Sequence, residues 1–137
     1  MTGVTTFLID DKIDTGNILL REEVPVFPFE DAGDLHDKLM KHGARLVIKT
    51  LEGLTGNFIK PQNQSNFMMP GEILKPAPKI FPDFCNILWS NEPQKIHNFI
   101  RGLSPYPCAR AIFKNEKRSI NCKVYESQPE SSIHLLH

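Results

Sequence analysis

No apolar run in this sequence approaches the length needed to cross a bilayer. The opening residues, MTGVTTFLIDDK, do not run from a basic segment into an apolar one, so they do not read as a secretory signal. Cysteine is scarce and odd in number. Cys85, Cys108 and Cys122 lack the spacing of a disulfide framework. No CxxC occurs and no histidine stands at ligand spacing from a cysteine, so no zinc or other metal site is expected. Internal repeats, a glycine-rich phosphate loop, a nucleophile elbow and an HExxH sequence are all missing. The 16 basic and 16 acidic residues leave no net charge to name a partner. These absences point to a cytoplasmic chain with reduced, buried thiols and no membrane partner.

What is present suits a packed core. Hydrophobic residues make up 40% and charged residues 23% of 137 positions, enough for one domain or two small pieces. Residues 1–60 carry seven basic and ten acidic side chains, and residues 79–137 carry eight and five. Solvated surface accounts for a difference this small, although two parts meeting different partners would show it too.

Val4–Ile9 and Asn17–Val26 are β-branched and apolar and read as two strands around a polar loop, Asp10 to Gly16. Asp31, with Asp34 three residues on, reads as a helix start. Leu35, Leu39, Leu46, Val47, Leu51 and Leu54 then recur near the helical period and are expected to be its buried face, with Gly53 and Gly56-Asn57 as the stop. Two strands offer little sheet for such a helix, so self-association or a missing N-terminal half is expected to cover it. Proline and amide residues over 60–80 read as a linker. Phe81–Trp89 reads as a strand with Trp89 in the core. A helix over 92–103 follows, capped by Ser90 or Asn91, with Pro93 in its first turn. Tyr106 is expected to plug the exit between two prolines. Ala109–Phe113 and Ser119–Tyr125 read as a hairpin, and the last dozen residues as a frayed tail.

The chemistry-bearing feature is the acidic loop. Asp10, Asp11 and Asp14 could bind a cation, act as acid or base, or form a polar turn. Physical chemistry by itself favours the turn, and it disfavours the cation, which would want more oxygen ligands. Phe67-Met68-Met69 in the linker is either an adhesive patch or an exposed liability.

Thr2-Gly3-Val4-Thr5, then Ile9-Asp10 and Ile13-Asp14-Thr15-Gly16, resemble the folate-dependent formyltransferases. Ala77-Pro78-Lys79-Ile80, Trp89-Ser90 and the run Ile96 to Pro107 are similar to the methionyl-tRNA branch of that family. The resemblance implies an α/β fold: part of a Rossmann-like formyltransferase domain over 1–60, a linker over 61–78, and the start of an OB-like β-barrel over 79–137. It implies formyl transfer from 10-formyltetrahydrofolate to the amino group of methionine on initiator tRNA. Of the family's catalytic Asn, His and Asp, the Asp matches Asp14. Asp10, Asp11, Lys12 and Ile13 become folate-loop candidates. On the second helix, Lys95, His97 and Arg101 become tRNA-contact candidates, with an ordinary exposed polar face as the alternative. The family's Asn and His lie upstream of the Thr2–Thr5 stretch and have no match here, so the 137-residue chain is expected to be inactive alone. A non-catalytic RNA-binding or partner-completing module is the alternative. The closing SSIHLLH departs from the family pattern and resembles a frame-shifted or read-through end.

Overall fold

The computed structural model describes residues 1–68, 71, 73 and 76–130. The expected frayed end over 131–137 and the Met69 end of the Phe-Met-Met patch lie outside these residues. The chain divides into two units. The first comprises Met1–Pro28 with Leu35–Ala77, and the second comprises Phe29–Asp34 with the residues from Pro78 onward.

In the first unit, strand β1 (Thr2–Phe7) pairs antiparallel with β2 (Ile18–Val24). The register runs Thr2↔Val24 to Thr6↔Leu20 and then jumps to Phe7↔Ile18, leaving Leu19 as the extra residue of a bulge. A hydroxyl relay braces the hairpin beside this bulge. Leu20 N–H donates to Thr6 Oγ1 at 3.2 Å, and Thr50 Oγ1 donates to the Leu46 carbonyl at 2.7 Å. The 2.8 Å bond between the two threonine hydroxyls therefore runs from Thr6 to Thr50. Helix α1 (Ala32–Thr55) supplies Thr50 and lays Leu46, Thr50 and Gly53 against the hairpin.

That buried stripe is not the expected one. Among the predicted face residues Leu46 is buried and Leu35 and Leu39 are half-buried, while Val47, Leu51 and Leu54 are exposed, Leu51 by 59%. At 3.6 residues per turn, the row Met40, Val47, Leu51, Leu54 lies about a third of a turn round from Leu46, Thr50 and Gly53. A two-stranded hairpin is too narrow to cover both rows. Gly53 is likewise not a stop. It sits on the buried face because Ile59 folds back over it, where an added Cβ would stand 2.2 Å from Ile59 Cδ1. The turn comes at Asn57, in the left-handed region at φ 56, after Thr55 ends the helix.

The second unit holds the start of α1, where Asp31 and Asp34 cap each other. Asp34 N–H donates to Asp31 Oδ1 at 2.9 Å, and Asp31 N–H donates to Asp34 Oδ2 at 3.2 Å. Helix α2 (Pro93–Leu103) and the antiparallel strands β3 (Ala109–Lys114) and β4 (Ser119–Val124) complete it. Its core gathers Cys85, Ile87, Ile100, Leu103, Ala109 and Ala111. Four expectations are corrected here. Phe81–Trp89 is not a strand: Pro82, with no N–H and a fixed φ, opens a 3₁₀ turn over Pro82–Cys85, and only Asn86 bridges to Arg110. Trp89 lies in the turn before α2 and is 58% exposed. The cap of α2 is Glu92, because the residue before Pro93 must be extended, and its side chain makes no cap bond. Tyr106 is 86% exposed. The positions that seal the helix exit are Leu103, Ser104 and Cys108, with Cys108 N–H donating to the Leu103 carbonyl at 2.8 Å.

Candidate functional site

The loop between β1 and β2 carries the acidic residues. Leu8 N–H donates to the Asn17 carbonyl at 2.9 Å and closes its base. Asp10 Oδ1 accepts from Lys12 N–H at 3.0 Å and from Thr15 Oγ1 at 2.7 Å, a side-chain turn that sets the loop's path. These two donors, Thr15 first, hold the Asp10 carboxyl below its ordinary range. Gly16 is buried where an added Cβ would stand 1.5 Å from the Leu8 carbonyl oxygen, so the Asp-Thr-Gly sequence needs its glycine for close approach.

Asp14 is exposed and adopts φ 58, the left-handed region that Asp and Asn tolerate best among residues with a side chain. The carboxylate that shapes the loop is therefore Asp10, and Asp14 stands clear at its tip. Asp11, Lys12 and Ile13 are exposed beside it, Ile13 by 90%.

Gln64 was not legible as part of this loop. Its Nε2 donates to the carbonyls of Asp14 and Gly16, both at 2.8 Å. The span expected as linker is thus tied down over 62–67. Gln62 exchanges two backbone bonds of 2.8 Å with Ile18, and Asn63 caps a 3₁₀ turn over Gln64–Phe67 by accepting from Ser65 N–H. The amide-rich composition QNQSN was the only hint in the sequence.

Across the hairpin and helix of the same unit, His42 Nδ1 stands 2.6 Å from Glu22 Oε1. This bond, helped by the charges of Lys49 and Arg45, lowers the Glu22 pKa from an ordinary value near 4.5. A carboxyl depressed on folding stabilises above its unfolded pKa and loses that contribution as pH falls through the folded one. The contribution of the Glu22 carboxylate is expected to be present above its ordinary value near 4.5 and to be lost as pH falls through the lower folded value. Urea midpoints measured across that range check it, and Glu22→Gln should flatten the acid limb.

In the second unit, the three candidates on α2 are already engaged. Lys95 pairs with Glu92 at 3.3 Å, His97 Nδ1 meets Ser127 Oγ at 3.1 Å, and Arg101 donates to Asn98 Oδ1 and to the Glu30 carbonyl, both at 2.8 Å. On the hairpin, Arg110 and Lys123 are register partners and both exposed. Among the described residues, no group of three or more His, Cys, Asp or Glu could hold a metal ion, and the three cysteines are free thiols. No helix among them is long and apolar enough to cross a membrane.

A hairpin bearing an acidic Asp-Thr-Gly loop and a separate helix-and-hairpin unit make this a two-part α/β chain. The formyl transferase family model matches residues 1–51, and the formyl transferase C-terminal domain model matches residues 79–135. The chain belongs to the formyl transferase family. Relatives include the methionyl-tRNA formyltransferase of Bacteroides thetaiotaomicron, 38% identical over 98% of this chain and 42% of the relative. That of Flavobacterium johnsoniae is 42% identical over 97% of this chain and 41% of the relative. The chain thus spans less than half the length of the curated relatives it matches. In structure it is similar to a 4-N formyltransferase from Francisella tularensis, with a TM-score of 0.61 at 20% identity over 90% of this chain and 50% of the other. At that identity the likeness shows the fold alone.

Proposed function

We propose that this chain serves a methionyl-tRNA formyltransferase, contributing Asp14 to transfer of a formyl group from 10-formyltetrahydrofolate to the amino group of methionine on initiator tRNA. The carrying observation is the exposed Asp14 at the tip of an Asp-Thr-Gly loop whose shape is set by another carboxylate. Residues 1–60 act as part of a Rossmann-like formyltransferase domain, 61–78 as the connection, and 79–137 as the start of an OB-like barrel.

The amine attacks the formyl carbon and charge develops on the carbonyl oxygen. In the resemblance, an Asn and a protonated His donate to that oxygen. The Asp14 carboxylate keeps the His charged and takes up the proton that the attacking amine releases. The adduct then collapses, the bond from the formyl carbon to the folate nitrogen breaks, and that proton passes to the departing nitrogen, giving tetrahydrofolate and the formylated amine. Asp10, Asp11, Lys12 and Ile13 line the loop that the folate donor meets, and the outward Ile13 offers an apolar surface to its ring system. Initiator tRNA meets the basic half. Lys95, His97 and Arg101 mark α2 as one contact, and the facing cations Arg110 and Lys123 support a phosphate contact on the hairpin. The reaction belongs in the cytoplasm, where translation starts.

The test uses this chain together with a polypeptide segment that supplies the Asn and His, given 10-formyltetrahydrofolate and two acceptors, methionyl-tRNA and an amino sugar nucleotide. Formyl-methionine released from the tRNA is the expected product. Transfer to the amino sugar alone would overturn the reading.

A further inference from the structure

We propose that Gln64 is a positioning residue for Asp14, clamping the Asp-Thr-Gly loop through two hydrogen bonds from a single amide nitrogen. The proposal rests on the reading of Asp14 as the proton-handling group. A primary amide nitrogen carries two hydrogens, and here each has its own acceptor, the carbonyl of Asp14 and the carbonyl of Gly16. These carbonyls belong to the Asp14–Thr15 and Gly16–Asn17 peptide units, so the clamp fixes the backbone that leaves Asp14.

The loop needs such a brace. The left-handed conformation of Asp14 is unfavourable for a residue with a side chain. The Asp10 side-chain turn holds the Lys12 amide and the Thr15 hydroxyl but neither of those carbonyls. Gln64 is itself fixed on both sides, by the Gln62–Ile18 backbone pair and by the Asn63 cap. The strap after α1 therefore reaches back across the sequence, 50 residues from Gln64 to Asp14, to set the loop's geometry.

The chemistry of the group matters as well. A lysine or arginine in this place would offer donors but would pair with the Asp14 carboxylate and weaken it as a base. A carboxylate would repel both carbonyls. A neutral amide satisfies the carbonyls and leaves the charge of Asp14 for substrate.

The experiment is NMR on the full 137-residue chain with Gln64→Ala and Gln64→Glu. In the parent, both side-chain amide hydrogens of Gln64 should exchange slowly. In Gln64→Ala the amide signals of Asp14, Thr15 and Gly16 should move, because the carbonyls of Asp14 and Gly16 lose their donor. Signals from β3 and β4 should stay in place. Gln64→Glu should match Gln64→Ala at neutral pH. As pH falls through about 4.3, the introduced carboxyl gains one O–H donor and the loop signals should return part of the way. Asp10, Asp11 and Asp14 lie in the same loop and respond to pH themselves, so the return is read as the difference from Gln64→Ala over the same pH range, and a packing role for residue 64 would produce no such difference. Unmoved loop signals in Gln64→Ala, or a Gln64→Glu loop whose pH response matches that of Gln64→Ala, would overturn the clamp. Failure of the catalytic reading looks different: the loop would respond as described while Asp14→Asn left formyl transfer intact.

Discussion

In a polypeptide that also supplies the Asn and His, Asp14→Asn should lower the rate of formyl transfer about a hundredfold or more, the usual worth of a positioned proton acceptor. The substitution removes charge and basicity and little else. Asparagine has the same shape and tolerates the left-handed region as well as aspartate does. The hydrogen bonds that hold the loop use the backbone carbonyl of Asp14, not its carboxylate, and the loop's own carboxylate belongs to Asp10. Loop geometry is thus expected to survive, and the loss should fall on kcat with KM little changed. Asp10→Ala provides the contrast, because it removes the acceptor for Lys12 and Thr15 and should disorder the loop. Activity of Asp14→Asn within about twofold of the parent would show that the carboxylate is not part of the chemistry.

Leu46→Ala should destabilise the chain by about 2–5 kcal/mol, whereas Leu51→Glu should change stability by roughly 0.5 kcal/mol or less. Both leucines sit on α1 within the same helical period, and the sequence treats them alike. Leu46 is only 4% exposed and its carbonyl accepts the Thr50 hydroxyl at the end of the relay from the hairpin. Truncating it leaves a cavity under β1 and β2. Leu51 lies in water, so a charge there meets no desolvation cost. Urea midpoints of the two variants decide the matter. Equal losses would mean that the row through Met40, Val47 and Leu51 is covered in solution.

The amino-acid sequence by itself determined the local elements and the identity of the loop. The β-branched, apolar run Val4–Ile9 and the Ile18-Leu19-Leu20 start of the next run marked two strands around Asp10–Gly16, helical spacing marked α1 and α2, and the helix start at Asp31 was readable from two acids three residues apart. These are interactions within a few residues, which composition and spacing record directly. Asp10 as a turn-former and the glycine of Asp-Thr-Gly belong to the same local physics.

Tertiary structure decided which of two apolar rows α1 buries, because a period marks amphipathic character but not the width of the surface that meets it. It decided that Phe81–Trp89 turns at Pro82 rather than pairing, that Trp89 and Tyr106 face outward, and that Arg101 spends its donors on Asn98 and Glu30. It also decided the role of Gln64. A polar, proline-flanked stretch looks like linker when read along the chain, since nothing in its own neighbourhood needs two donors. The carbonyls that need them lie 48 and 50 residues away in sequence, and only folding the chain back brings them within 2.8 Å.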